Sequence, residues 1–438
     1  MKKLLAIILA TAALGFTSCD DDEVDPITEP VIEPTETETI TVSGLLESDV
    51  TWTNDNIYQL SGRVIVTDGA TLTIEPGTII KGAEGNGATA SVLIVARGAK
   101  IEAKGTAAEP IIFTSVLDEV TIGGEYVGNL SKISNELWGG LIILGKANVS
   151  AKSGDTEASI EGLPANEAYG KYGAATAADF EDNDNSGTLS YVSIRHGGIT
   201  IGEGNEINGL TLGGVGSGTS INNIEIYSTL DDGVEFFGGS VSVTNVLVYW
   251  QGDDAIDIDQ NYNGTVSNFV IAHGDGVGTD EALEIDGPES TRNDGMFTLI
   301  NGTIMHDGSE SGSGADLKSD AQGTLTNLVF KGFVDGEALI KVEGEYSSEC
   351  EVRSKGMGTY GDALDHLLEG TLVIIDTNAD GVKLYSKKDE NKEAICGDIS
   401  AADTEAAAAK FSSDTAAAGA DTSVFGWTVA VKSGDLVL

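Results

Sequence analysis

The chain has 438 residues, including 57 glycines, 7 prolines and 3 cysteines. A hydrophobic fraction of 40% is enough for a core and excludes global disorder. Seventy acids against 24 bases leave a formal charge of −46, which excludes nucleic acid and anionic lipid headgroups as partners, because phosphate binding needs Lys and Arg.

Residues 1–18 read as a secretion signal. Lys2 and Lys3 precede an apolar run from Leu4 to Leu14, and "GFTSC" brings small residues up to Cys19. That run is shorter than a membrane span. The pattern resembles a bacterial lipoprotein signal, which implies that Cys19 becomes the lipidated first residue of a protein held at the outer membrane. The "DDDE" that follows resembles the surface-export signal of Bacteroidetes lipoproteins and implies display on the cell surface. Residues 19–40 are rich in acids, Pro and Thr without an apolar period, as in an extended tether.

Residues 41–345 read as many short strands. "GRVIVTDGATLTIEPGTIIKG" alternates apolar and polar positions and turns at Gly69 and Pro76-Gly77. The pattern returns 29 residues later, where Gly98-Ala99-Lys100-Ile101 answers Gly69-Ala70-Thr71-Leu72. Asn223, Asn245 and Asn268 recur at steps of 22 and 23, and Asn301 and Asn327 continue the series after an insertion. A unit of this length cannot bury its own apolar face, so units stack. A β-sandwich would need hairpin turns instead. Register-matched repeats predict an all-β, right-handed parallel β-helix with loop insertions and an asparagine ladder at an inward turn. Residues 346–438 are expected to add the last coils and a cap. Cys350 and Cys396 lie there, and export would permit them to pair or to remain two thiols.

Three chemistries suggest themselves. The first is calcium. Asp182, Asp184 and Ser186 in "DNDNSG", and Asp376, Asn378 and Asp380 in "DTNADG", set oxygens at alternate positions before a glycine, as the first half of a calcium loop does. Both loops lack the closing glutamate; Ser193 and Lys387 stand in its place. A third calcium candidate is the stripe formed by Glu235, Asp257 and Glu284, which alternate with apolar neighbours and are expected to project outward about 4.8 Å apart. Such carboxylates repel unless a cation or water intervenes, making Asp257 and Asp259 candidate ligands. Asp232 and Asp254 are expected at the adjoining turns, where they accept backbone N–H bonds.

The second chemistry is glycan hydrolysis. "GDDAIDI" resembles the paired-aspartate segment of polygalacturonase-like β-helix hydrolases. That resemblance implies Asp231, Asp232, Asp253 and Asp254 as acid and base of an inverting reaction, with His273 nearby. The sequence departs from the pattern in having Thr229-Leu230-Asp231 where Asn-Thr-Asp is expected, and in lacking a following Arg-x-Lys pair. The third is binding. Tyr249, Trp250 and Tyr262, beside Glu235 and Glu284, have the chemistry to stack on sugar rings or meet a peptide.

The segments "LWGGLIILGKA", "DFEDNDNSGTLSYVSIRHGGI", "NEINGLTLGGVGSGTSINNIEIYSTLDDGVEFFGG" and "GDDAIDIDQNYNG" resemble the secreted Gly- and Asp-rich β-helix lipoproteins of Bacteroidetes, often labelled multidrug transporters. The resemblance covers most of residues 41–438 and implies fold and location, but no activity. A transporter would need an apolar span, which the chain after its signal lacks. The reading that results is a surface-anchored binding or adhesion module for extracellular glycan or a protein partner. The alternative is a polysaccharide-active β-helix hydrolase or lyase.

Overall fold

In the computed structural model, residues 37–152, 156–164, 167–202, 205–274, 279–309, 313–334, 339–344, 362–386 and 399–438 are described. Cys19, Cys350 and Cys396 lie outside them. Twenty-three strands form one continuous parallel network, a right-handed parallel β-helix.

Each coil in the central stack contributes one long bent strand and one short one. The long strands Gly187–Arg195, Ser220–Tyr227, Ser242–Tyr249, Thr265–His273, Phe297–His306 and Gly323–Lys331 stack in register. Each bends at one residue of positive φ: Tyr191, Asn223, Asn245, Asn268, Asn301 and Asn327. Asparagine suits this left-handed bend because its short amide tolerates αL and bonds locally. The amide of Asn245 donates to Asn223 at 3.0 Å, that of Asn268 to Asn245 at 2.7 Å, and that of Asn327 to Asn301 at 2.7 Å. The bend halves each strand between two faces. Short strands Leu210–Gly213, Val234–Phe237, Ile256–Asp259, Leu283–Ile285, Ala315–Leu317, Ile340–Gly344 and Lys383–Ser386 make the third. Inward residues such as Val234, Phe236, Ile256, Ile258, Leu283 and Ile285 fill the axis.

Two segments cover the outside. The antiparallel hairpins pairing Glu157–Ser159 with Lys171–Gly173, and Ile199–Gly202 with Asn205–Ile207, bury a second apolar cluster against the third face, with Ile94, Leu144, Tyr172 and Phe237. The C-terminal residues 413–438 depart from the expected cap. They run back along the side of the stack over the asparagine ladder. Asn327 Oδ1 accepts from the amides of Ala418 and Gly419, and Asn268 Oδ1 accepts from Asp421. Farther along, the two oxygens of buried Glu225 accept from the amides of Val429 and Ala430 at 3.0 and 2.9 Å. The ladder is therefore half-buried beneath this strap and does not face the axis as expected.

Asn268 links both systems, since it bonds Asn245 on one side and Asp421 on the other. Asn268→Ala removes these bonds and places alanine at a φ of 55°. Urea unfolding of the full chain is expected to lose about 2–4 kcal/mol. Asn268→Gly, which accepts that φ freely, should recover part of the loss.

Candidate functional site

The third face carries the acids. Its register aligns Thr211, Glu235, Asp257, Glu284, Asp316, Lys341 and Lys383 in one row across seven coils. At the turns before these strands a second ladder forms. Asn208 Oδ1 accepts from the Asp232 amide at 3.2 Å, Asp232 Oδ1 from the Asp254 amide at 2.9 Å, and Asp254 Oδ1 from the Glu281 amide at 2.6 Å. Each side chain thus ties down the next coil, the turn-fixing role expected of Asp232 and Asp254.

The row points away from the axis as expected, but it is not a solvated stripe. Glu235 is 4% exposed and Asp257 7% exposed, and the hairpin insertion packs on this face through Tyr172 against Phe237. Glu161 of that insertion lies near enough to raise Glu235 and Asp231, and the Asn208 amide bonds Glu235. Burial, reinforced by neighbouring carboxylates, pushes Asp232, Glu235, Asp254, Asp257 and Asp259 well above the usual carboxylate range.

Beside this buried layer, half-exposed Asp231 and exposed Asp253 and Asp280 form an acidic surface patch, the mouth of the row. Burial, then Glu161 and Asp253, push Asp231 up to about 7. A hydrogen bond with Glu281, then burial, pushes Asp280 up to about 7. One carboxylate oxygen each from Asp231, Asp232 and Asp253 lies within 4.8 Å of the other two.

Farther along the row, lysines answer the charge. Lys341 Nζ is 2.5 Å from Glu281 and 3.6 Å from Asp316, while Lys318 bonds Glu284 and lies 3.6 Å from Asp286. Burial pushes Glu281 up, but bonds from Asp280 and Lys341 outweigh it and leave the group below its ordinary value. Among the described residues no ion pair reaches Asp231, Asp232, Glu235, Asp254, Asp257 or Asp259.

Several expected site residues are corrected by burial. Tyr262 is a core residue whose hydroxyl donates to the Val241 carbonyl at 2.7 Å, packed against Phe236. Tyr249 and Trp250 are sealed by the C-terminal strap and by Lys132, whose ammonium lies 3.4 Å from a Trp250 ring centroid. These three rings are not a sugar platform. Glu235 is likewise sealed from ligand, and Glu284 is held by Lys318. His273 is 1% exposed and packs against His306 and Phe333, so it does not serve the mouth. Buried Asp232 and Asp254 are engaged with backbone, which leaves Asp231 and Asp253 as the accessible pair.

The two loop candidates are turned to local use. Asp182 Oδ1 accepts from the Asn148 amide at 2.9 Å, and buried Asp184 accepts from Ser186 at 3.2 Å. Asp376, with a φ of 54°, continues the asparagine ladder, and Asn378 bonds the backbone of Phe330 twice. Asp380 is exposed. The close acidic triads of the described residues lie elsewhere, on the third face. Sequence reading passed over Asp280, Glu281, Lys318 and Lys341 as site residues. The signal was there in "GADLKS" and "ALIKVEG", whose polar positions extend the row.

A family model for a pectate-lyase-like β-helix domain matches residues 44–431. No curated protein and no solved structure matches the chain.

Carboxyls with raised values hold more protons folded than unfolded, so stability is lost as pH rises. In chelator-treated buffer the melting temperature should fall between pH about 4, the unfolded carboxylate range, and about 7, the value at Asp231 and Asp280. Differential scanning calorimetry across that window checks it; a rising melting temperature is the opposite result.

Proposed function

The chain belongs to the pectate-lyase-like β-helix domain family, and from that premise we propose that it is a polysaccharide-binding module of the cell surface, lipid-anchored at Cys19, whose contact is the acidic mouth of Asp231, Asp253 and Asp280. The observation that carries this reading is the mouth itself. Successive turns offer carboxylates, which are strong acceptors, and sugar hydroxyls are donors. A net charge of −46 favours a neutral glycan over a polyanion, unless a cation bridges the two. Anchoring rests on the lipoprotein pattern ending at Cys19 and on the acidic run after it.

A second reading is cleavage of the bound polysaccharide. It is favoured by the closeness of Asp231 to Asp253, since one carboxyl can hold a proton for the leaving oxygen while the other acts as base or nucleophile. For this pair the spacing favours retention over the inverting reaction expected from the sequence. Oxygens within 4.8 Å are closer than the roughly 6.5–9.5 Å that leaves room for an inverting water, and nearer the retaining spacing of about 5 Å.

Neutral and acidic polysaccharides, titrated against the full chain by calorimetry, test the first reading. Asp253→Asn is expected to weaken binding about tenfold, or about 1.4 kcal/mol. Release of new reducing ends that disappears in Asp231→Asn is expected only if the second reading holds. Cys19→Ala should move the protein from the membrane to the soluble fraction. Replacing Asp20, Asp21 and Asp22 with Ala should keep it lipidated but hidden from surface labelling.

A further inference from the structure

The acidic row answers its charge in two ways. From Glu281 onward the compensation is covalently part of the chain, because Lys318 and Lys341 reach Glu281, Glu284, Asp286 and Asp316. One and two coils earlier, no lysine or arginine of the described residues lies within 4.0 Å of Asp232, Glu235 or Asp257, although Lys318 acts on Asp257 from beyond that distance. All three are buried, and one carboxylate oxygen from each lies within 4.8 Å of the other two. Within this group Asp257 Oδ1 is buried without any hydrogen-bond partner. A buried carboxylate oxygen left unsatisfied is costly and calls for a ligand.

We propose that Asp232, Glu235 and Asp257 hold a calcium ion, which occupies in these coils the electrostatic place that Lys318 and Lys341 take in the following ones. The donor set is all carboxylate. That excludes the sulfur and nitrogen coordination of zinc and copper and suits a hard cation. Each carboxylate offers one oxygen to the group, in the irregular arrangement that calcium accepts, whereas magnesium keeps several waters and favours open sites. This one is closed, since Asp232, Glu235 and Asp257 are all buried. Because its ligands are buried and come from two successive coils, the ion acts on stability, by joining those coils, and not on glycan contact. The inference therefore stands apart from the glycan reading.

The test is thermal unfolding of the full chain at pH 7.5. Protein is stripped with EDTA, then supplied with calcium, magnesium or sodium chloride at matched ionic strength. Calcium should raise the melting temperature by several degrees, and sodium chloride should not reproduce the shift. Asp257→Asn removes a repelled charge, so it should melt above the wild type in EDTA and show no response to calcium. Equilibrium dialysis should find one calcium fewer per chain in this variant. Should Asp257→Asn fold poorly, Glu235→Gln carries the same expectation. Asp376→Asn, at an exposed position of the strand Leu372–Thr377, should keep the full shift. An equal shift in sodium chloride overturns the proposal, as does an undiminished calcium shift in both triad variants or a shift lost only in Asp376→Asn. Glycan binding that persists in EDTA while the melting temperature drops separates this site from the mouth.

Discussion

In-register parallel stacking is the constraint on which the rest of the molecule depends. Neighbouring strands lie about 4.8 Å apart, so every side chain sits on its equivalent in the next coil. Apolar residues gain from this, and the axis fills with Val, Ile, Leu and Phe. Asparagines gain as well, because an amide both donates and accepts and can pass the bond along a ladder. Carboxylates are the exception. Each one accepts only, so an unbroken row of them has neither hydrogen bonds nor charge balance. The third face is where the fold meets this problem, and its distinctive chemistry follows.

The turn aspartates show one way out. Asp232 and Asp254 send an oxygen to a backbone amide of the following coil, so the interaction becomes directional and neutral-to-anion rather than anion-to-anion. Lysines placed in the row show another, in Lys318 and Lys341. The stretch between these two devices, around Glu235 and Asp257, uses neither for its buried oxygens. Electrostatic demand is thus concentrated within two coils, beside the mouth at Asp231 and Asp253.

Covering segments decide what remains accessible. A β-helix exposes the outer surface of each face unless something lies on it. Here the hairpins around Tyr172 and the strap ending in Phe425, Val429 and Leu436 each bury a separate apolar cluster. The strap removes Tyr249 and Trp250 from contact with solvent, while Asp231, Asp253 and Asp280 remain at the surface. The strap also anchors at both ends of the ladder. Glu225 receives its short terminal helix, and Asn327 receives its start. Stack and strap are thereby coupled through residues that also order the coils.

The sequence alone determined the repeat, and with it the β-helix, because a period in apolar and asparagine positions is a local property that stacking can only accept. It also placed Asp232 and Asp254 at turns and aligned Glu235, Asp257 and Glu284 in a row, since strand alternation and step length fix both. Burial was decided only by tertiary structure. Nothing in the alternation of Val234 to Phe237 says whether water or another segment lies over the outer face, and Glu161 is more than seventy residues from Glu235 in the chain. The aromatic residues misled for the same reason: Tyr249 ends a strand and Trp250 follows it, but a strap arriving from residues 425–436 seals them. Contacts of that sequence separation leave no periodic trace, so the identity of the accessible acids, and of the buried ones left without a paired lysine, emerged only from the folded chain.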